Sequence, residues 1–386
     1  MNRESLLKKF EEIFGNSEAV RFFFAPGRVN LIGEHIDYNG GLVFPCALEI
    51  GTTALARGRN DNIISFASVN FDFRKEISCD RIIFDKNDGW TNYPKGVASV
   101  IKNSGYELRG FDVLYYGNIP NGSGLSSSAS IEMATATLIS GLFDLNIPMI
   151  DRVKISKKAE NEFVGVNCGI MDMFAIGMGK KGMAISLNCN TLDYTYVPVK
   201  LNDYTIVIAN TNKKRGLADS KYNERRNECE RALSILNNYV KAETLCEISI
   251  SDFEKYGNKL NDEILIKRVR HVISENLRVK EAISCLSGHN DLHRFGTLMN
   301  QSHLSLRDDY EVTGKELDAL VEESWKIDGV IGSRMTGAGF GGCTVSIVKN
   351  EKIEEFKKYA GKNYNERTGL KADFYETSIG NGSGEI

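Results

Sequence analysis

The amino-acid sequence predicts an α+β protein of two domains. Its 386 residues exceed what one ordinary hydrophobic core serves, so two units of similar size are the default. Strand-like apolar runs crowd the first half, and helical periodicity dominates the second. Strands and helices are segregated rather than strictly alternating, which argues against one doubly wound sheet. The boundary is drawn between Val199 and Lys200, giving domains of residues 1–199 and 200–386.

Taken in order, "MNRESLLKKFEEIFG" reads as an amphipathic surface helix. Strand character follows in "VRFFFAPG", "LVFPCALEIGTTALARG", "NIISFAS" and "FDVLYYGNIP", short apolar blocks bounded by glycine and polar breaks. Residues 126 to 143 and "DRVKISKKAENEFVG" read as helices, and "KGMAISLN" and "LDYTYVPV" as further strands. From Asp219 onward, "SKYNERRNECERALSIL", "EILIKRVRHVISENLRVKEAISCL", "DLHRFGTLMNQSHLSLRDDY" and "TGKELDALVEESWKI" place apolar residues three and four apart, with charged opposite faces. A strand "GGCTVSIV", a helix "EKIEEFKKYAGKNYNERT" and a final strand "ADFYETS" close the chain.

Composition narrows the function. Apolar residues make up 42%, charged residues 26%, and the formal net charge is -3, the profile of a soluble globular protein. It argues against a nucleic-acid partner held by a broad basic surface. No apolar run approaches the ~20 residues of a membrane span, so no membrane partner is expected. The N-terminal stretch has no apolar core followed by a small-residue cleavage site, so no secretory signal is expected. Eight scattered cysteines without a CxxC pair fit free thiols in a reducing cytoplasm. A monomer is the expected assembly.

Three stretches carry polar or glycine-rich chemistry between the regular elements. In "NGSGLSSSAS", residues 121 to 130, a glycine turn joins a strand to a helix N-terminus, where unpaired N–H groups and the helix dipole favour an anion such as phosphate. It lacks the lysine of a nucleotide-binding P-loop and offers the hydroxyls of Ser126, Ser127 and Ser128 instead. The alternative is a serine-capped helix without a ligand. "RMTGAGFGGCTVSIV", residues 334 to 348, is a second glycine-dense turn; Gly337, Gly339, Gly341 and Gly342 would let the backbone approach a ligand or another loop. "APGRVNLIGEHIDYNGG", residues 25 to 41, crowds Arg28, Glu34, His35, Asp37 and Tyr38 among apolar residues, which is costly to bury unless they bind something. A surface loop would carry them without cost.

Together these stretches resemble the three motifs of the GHMP kinase superfamily, and "GRVNLIGEHIDYNGG" is similar almost letter for letter to the signature of the galactokinase family. "CGIMDMF", "LADSKYNERRNECE" and "LMNQSHLSLRDDYEVT" extend the resemblance over residues 20 to 385. Mevalonate and homoserine kinases share the phosphate loop but not the Glu-His-x-Asp-Tyr run. The resemblance implies a two-domain fold, with an N-terminal domain like the second domain of ribosomal protein S5 and a ferredoxin-like α+β C-terminal domain.

The resemblance also implies an ATP-dependent kinase acting on the C1 hydroxyl of galactose, with Mg2+ as cofactor. Asp172 matches the catalytic aspartate and Arg28 the arginine beside it. Such a cation would keep the aspartate ionised and offset charge on the moving phosphoryl group. Sugar contacts carry over to Glu34, His35, Ile36, Asp37, the backbone at Gly169 and the hydroxyl of Tyr222, with Asp37 as reader of the C3 and C4 hydroxyls. Tyr222 otherwise reads as an ordinary residue of an amphipathic helix. ATP contacts carry over to Ser68, Gly122, Ser123, Gly124, Leu125, Ser126, Ser127 and Ser128. Ser128 and Glu160 match the metal ligands, Ser126 is a weaker candidate for the same ion, and Glu160 alone would pass for a surface carboxylate. The remaining histidines, His271, His289, His293 and His303, read as surface or core residues, and "KKR" at 213 to 215 as a solvated charge run.

Two positions depart from the family pattern. Met173 stands where glutamine is usual, and Asn188 where aspartate is usual. They leave open a kinase for a related sugar such as N-acetylgalactosamine or L-arabinose. A galactose- and ATP-sensing regulator on the same fold is the alternative outside the enzymes, and the intact Asp172, Arg28, Ser128 and Glu160 argue against it.

Overall fold

The structure is a computed structural model that describes residues 1–120, 124–213 and 218–386, without the side chains of 218–220. The first half runs α1 (Arg3–Phe14), β1 (Arg21–Asn30), β2 (Leu42–Val43), β3 (Pro45–Gly58), β4 (Ile63–Ser68), β5 (Lys75–Ser78), α2 (Asn92–Asn103), β6 (Phe111–Gly117), α3 (Ser127–Leu142), α4 (Met149–Lys158), α5 (Met171–Met178), β7 (Met183–Asn188) and β8 (Tyr194–Pro198). The second half runs β9 (Tyr204–Asn210), α6 (Ala218–Leu236), α7 (Ile250–Tyr256), α8 (Glu263–Ser287), α9 (Leu292–Asp308), α10 (Lys315–Trp325), β10 (Val330–Thr336), β11 (Cys343–Lys349), α11 (Ile353–Thr368), β12 (Asp373–Thr377) and β13 (Gly384–Glu385).

Among the described residues the strands form three sheets, ordered β13-β1-β3-β6-β4-β5, β10-β11-β9-β12 and β2-β7-β8. Only the β4–β6 pairing is parallel among them. Helix α3 lies across β1 and β3, whereas α9 and α10 cover β10. The last residues return to the first half, where Phe23 and Phe24 of β1 pair with Glu385 and Gly384. Buried apolar side chains from both halves form one large cluster with three smaller ones beside it. All eight cysteines are free. No helix among the described residues is long and apolar enough to cross a membrane.

Local chemistry explains most element ends. Asn2 caps α1 by accepting from the Ser5 N–H, and Gly15 ends it in the left-handed region. Leu6 and Phe10 then bury the apolar stripe of α1 against Phe22, Leu55 and Leu114. Asp262 caps α8 by accepting from Ile264 and Leu265. The helix expected over "DRVKISKKAENEFVG" ends its α-helical part at Lys158 and continues as a π-helical turn, Ala159–Val164, which carries Glu160. The elements not expected from the sequence are α2, α5, α7, β5, β9, β10 and β13. The first residues of the expected glycine-dense turn, Arg334 to Thr336, belong instead to β10, where Ser333, Arg334 and Thr336 are fully buried.

Candidate active site

Two chain features bring Arg28 to the centre of the molecule. A bulge in β1 between Pro26 and Arg28 shifts the register against β3 and re-aims the side chain. Gly27 then lets the strand end approach the turn before α3, because a Cβ there would lie 3.0 Å from the Leu125 carbonyl oxygen. The Arg28 N–H donates to that same oxygen at 3.2 Å, and Nη1 donates to the Gly124 carbonyl at 2.6 Å. Nε donates to Asp172 Oδ1 at 2.8 Å, and Nη2 lies 2.8 Å from it as well. Asp172 sits in the first turn of α5, so this contact ties the sugar-signature strand, the serine turn and α5 together.

The serine turn does not use the bland arrangement. Ser126 is the N-terminal cap residue of α3 with φ 62°, but its side chain makes no capping bond. Its hydroxyl donates to Asp172 Oδ2 at 2.5 Å instead. The carboxylate is thus gripped on both oxygens, and the first N–H groups of α3 keep no side-chain cap from Ser126. Of the expected phosphate-loop residues, Gly122 and Ser123 lie outside the described residues. Leu125 is buried in the core, and Gly337 packs against the turn, its added Cβ falling 3.0 Å from the Gly124 carbonyl oxygen. Gly339, at φ +79°, is held to Val312, with 2.2 Å between an added Cβ and the Val312 carbonyl oxygen. These contacts take the loop-to-loop option left open for the second glycine turn.

Two cavities adjoin these residues, Arg28 and Asp172 lining one and Ser127, next to Ser126, lining the other. One, of about 180 Å³, is lined by Arg28, Glu34, His35, Asp37, Gly169, Asp172 and Tyr222, together with Gly337 and Ala338 of the glycine turn. The other, of about 420 Å³, is lined by Ser127 and Ser128, by Ser68 and Asn70, and by the aromatic rings of Phe71, Trp90, Tyr93 and Tyr115. Trp90 stacks on Phe71 with 6.3 Å between centroids and 23° between planes, and meets Tyr115 edge-on. Sequence reasoning found Ser68 here but missed Trp90 and Tyr93. A tryptophan and a tyrosine flanking a helix start in "GWTNYPK" were the available signal.

In the smaller cavity Asp37 is half-buried, and burial, reinforced by the charges of Asp172 and Glu34, pushes its carboxyl up to about 7. Gly169 faces it so closely that an added Cβ would lie 2.5 Å from Asp37 Oδ2. Glu34 has its oxygens engaged by protein donors: Asn30 Nδ2 at 3.1 Å, Thr336 Oγ1 at 3.1 Å and the Gly337 N–H at 2.7 Å. His35 is likewise satisfied. Burial lowers it to about 3, so it is neutral, and its Nε2–H donates to the Ala338 carbonyl at 3.2 Å. Nδ1 therefore accepts from the Tyr38 hydroxyl at 2.8 Å, and Tyr38 accepts in turn from Tyr310 at 2.9 Å. Ile36 is packed in the core and is not among the residues lining this cavity. The ring of Tyr222 stands 5.7 Å from that of His35.

Glu160 is buried, with the Ser128 hydroxyl and the Cys168 thiol beside it. Burial raises its carboxyl, and those two donors pull it partly back. No cluster of three or more His, Cys, Asp or Glu side chains suited to a metal occurs among the described residues. A hydroxyl and one carboxylate are hard oxygen donors, and they fit a magnesium ion whose other ligands are phosphate and water. The two departures from the family pattern lie away from the cavity lining. Met173 is fully buried in the core, and Asn188 accepts from Asn190 and Thr191 in a turn. His271 and His303 are buried, whereas His289 and His293 are exposed. Of the 213–215 run, Lys213 pairs with Glu316 at 2.6 Å, and the other two lie outside the described residues.

Known proteins match this architecture along its whole length. The galactokinase galactose-binding signature matches residues 8–58, the N-terminal domain of GHMP kinases residues 92–180, and their C-terminal domain residues 279–366. A galactokinase of Fusobacterium nucleatum is 56% identical, covering 99% of both chains, and one of Bacillus subtilis is 51% identical, covering 100% of this chain and 99% of its own. The crystal structure of Lactococcus lactis galactokinase complexed with galactose superimposes with a TM-score of 0.96 at 47% identity, covering 99% of each chain. The mevalonate kinase of Methanococcus jannaschii, 22% identical with a TM-score of 0.67, shares the fold. That fold is the two-domain α+β arrangement of the GHMP kinases, and with more than half of its residues shared end to end with curated relatives, the chain belongs to the galactokinase family.

Proposed function

We propose that the two cavities divide the substrates of a galactokinase, the smaller taking galactose and the larger taking ATP, with Asp172 at their junction. The activity is that of the family: an ATP-dependent kinase that converts galactose and ATP to galactose 1-phosphate and ADP. The observation that carries the residue assignment is the grip on Asp172. Its carboxylate lines the smaller cavity and is held by Arg28 and by Ser126, whose neighbours Ser127 and Ser128 line the larger one, and this is where a proton acceptor for a sugar hydroxyl has to stand. In this reading Asp172 takes the proton of the C1 hydroxyl as that oxygen bonds to the γ-phosphorus, and the bond between γ-phosphorus and the β–γ bridging oxygen breaks to release ADP. Arg28 holds Asp172 in place and supplies positive charge beside the transferring phosphoryl group.

Asp37 reads the C3 and C4 hydroxyls, with Gly169 leaving room for the sugar beside it and Tyr222 closing the far side. Glu34 and His35 act mainly by shaping this loop, since the protein already occupies their polar atoms. Phe71, Trp90 and Tyr115 offer flat faces for the adenine. The open N–H groups of α3 and the hydroxyls of Ser127 and Ser128 face the phosphates. Ser128 and Glu160 hold the magnesium ion. What the cation supplies when bound is neutralisation of charge on the phosphate oxygens. We further place the division between the two units at Val199 and Lys200, with the returning C-terminal strand as an exception, and we take the protein as a monomer in the cytoplasm, the compartment that its eight free thiols support.

The test is ADP release with Mg-ATP over galactose, glucose, 2-deoxygalactose, N-acetylgalactosamine and arabinose. The expected result is turnover on galactose, little on glucose, and a loss of about 10²–10⁴-fold in kcat for Asp172→Asn with galactose still bound. A folded Asp172→Asn protein with parental turnover would remove Asp172 from the role of base.

A further inference from the structure

Helix α8 reaches into the sugar loop from the second half of the chain. Glu275 is fully buried, and its Oε1 accepts from the Gly33 N–H at 2.9 Å and from the Ser302 hydroxyl at 2.5 Å. Its Oε2 accepts from Arg278 Nε at 2.7 Å. Burial by itself would raise this carboxyl, but Arg278, with His271, Arg334 and Ser302, brings it down to about 2. One turn earlier lies His271, also fully buried and lowered by burial to about 4. A carbonyl can only accept, so His271 Nε2 carries the hydrogen and donates to the Glu34 carbonyl at 3.1 Å, while Nδ1 accepts from Ser305 at 2.9 Å.

The two side chains therefore hold the Ile32–Gly33 and Glu34–His35 peptide groups, one before Gly33 and one after Glu34. Gly33 is at φ +105°, where an added Cβ would meet the Leu42 carbonyl oxygen and a Val279 methyl, each at 3.0 Å. His35 is at φ 61°, a conformation that a residue other than glycine keeps only where its surroundings over-determine it. Two residues on is Asp37. A buried charge-assisted acceptor on the Gly33 N–H is strong enough to fix that backbone.

We propose that Glu275, with His271 beside it, is a positioning residue for galactose: it sets the backbone of the sugar loop, and through it the placement of Asp37, without touching the nucleotide cavity. This rests on the reading of residues 34–37 as the sugar site. None of the residues lining the 420 Å³ cavity contacts Glu275 by a hydrogen bond, so the effect is confined to one substrate.

Glu275→Gln keeps the size of the side chain and removes its charge. The expected result is a rise of about tenfold in galactose KM, with ATP KM and kcat within about twofold of the parent. Calorimetric Kd for galactose without nucleotide rises by the same factor. Ser302→Ala, which removes one bond to the same oxygen and keeps the Arg278 pair, gives a rise of about threefold and carries the test if Glu275→Gln does not fold. Unchanged galactose KM and Kd with a lowered melting temperature would reduce Glu275 to a structural residue, and an equal rise in both KM values would overturn the proposal too. Asp37→Ala is the reference. If it abolishes galactose binding while Glu275→Gln and Ser302→Ala leave it intact, the positioning role alone fails; if it also leaves binding intact, the sugar-site reading fails and takes the proposal with it.

Discussion

Lowering the pH from about 8 to about 6 tests Asp37 without altering a residue. Burial, with the charges of Asp172 and Glu34, places its carboxyl at about 7. The group is then about nine-tenths ionised at the upper pH and about one-tenth ionised at the lower. An ionised carboxylate accepts from two neighbouring hydroxyls, whereas the protonated form loses one acceptor oxygen to its own proton. Galactose KM is therefore expected to rise about tenfold across this interval, equivalent to about 1.4 kcal/mol, with a slope approaching one decade per pH unit at the acidic end.

The same shift predicts stability with a definite sign. A carboxyl raised in the folded state binds its proton better folded than unfolded. Its contribution is complete below the ordinary aspartate value and is lost as pH rises through about 7. Asp37→Asn should accordingly melt higher than the parent above neutrality and match it in acid. The assays are steady-state KM for galactose at saturating Mg-ATP, and melting scans of both proteins over the same buffers. A pH-independent galactose KM in the parent, or an equal slope retained in Asp37→Asn, would refute the assignment of this titration to Asp37.

Three further outcomes follow from the geometry. Gly169→Ala puts a methyl group 2.5 Å from Asp37 Oδ2, so galactose KM should rise at least about tenfold while melting temperature and ATP KM hold. Trp90→Ala removes the ring stacked on Phe71, and ATP KM should rise about tenfold with galactose KM unchanged, read from steady-state kinetics with each substrate varied. Glu132 is fully buried with both oxygens lacking a hydrogen-bond partner among the described residues, and burial, reinforced by Glu160, pushes its carboxyl well above the ordinary range. Its favourable share of stability is present below the ordinary carboxylate value and lost above it, so Glu132→Gln should melt near the parent at about pH 4.5 and several degrees above it at about pH 8.

How far the sequence disclosed this molecule depends on where each residue finds its partners. Helices α8 to α11 were legible because their apolar spacing is a local property. The glycine turns were legible as close approaches, because a positive φ or a Cβ clash leaves its mark in residue type. Strand β10 was not. Arg334 and Thr336 fell within the stretch read as a glycine-dense turn, and what makes them and Ser333 tolerable in the core is distant: Asn300 accepts from the Ser333 N–H, and Arg334 Nη1 donates to the Asn30 carbonyl. The same reasoning separates the site residues that were found from those that were missed. Asp172 and Arg28 stand in runs with a family likeness, whereas His271 and Glu275 lie on an amphipathic helix that reads as ordinary.

Their signal was nonetheless present. In α8 the buried positions recur as Leu265, Arg268, Val272, Glu275, Val279, Ala282 and Leu286, and two of these inward places are charged. A charged residue at an inward position has to be paired across the interior, since burying it alone costs several kcal/mol. Arg268 meets that demand with Glu228 and Glu311, at 2.6 and 2.8 Å. Glu275 meets it with Arg278 and then still has an oxygen to spend on Gly33. The first pairing ties α8 to α6 and to Glu311; the second reaches the loop proposed to frame the sugar. Charged residues at core positions of an otherwise apolar helix face thus mark where that helix is tied to other elements, and through Glu275 the tie crosses from the second half of the chain to the loop proposed to bind the sugar.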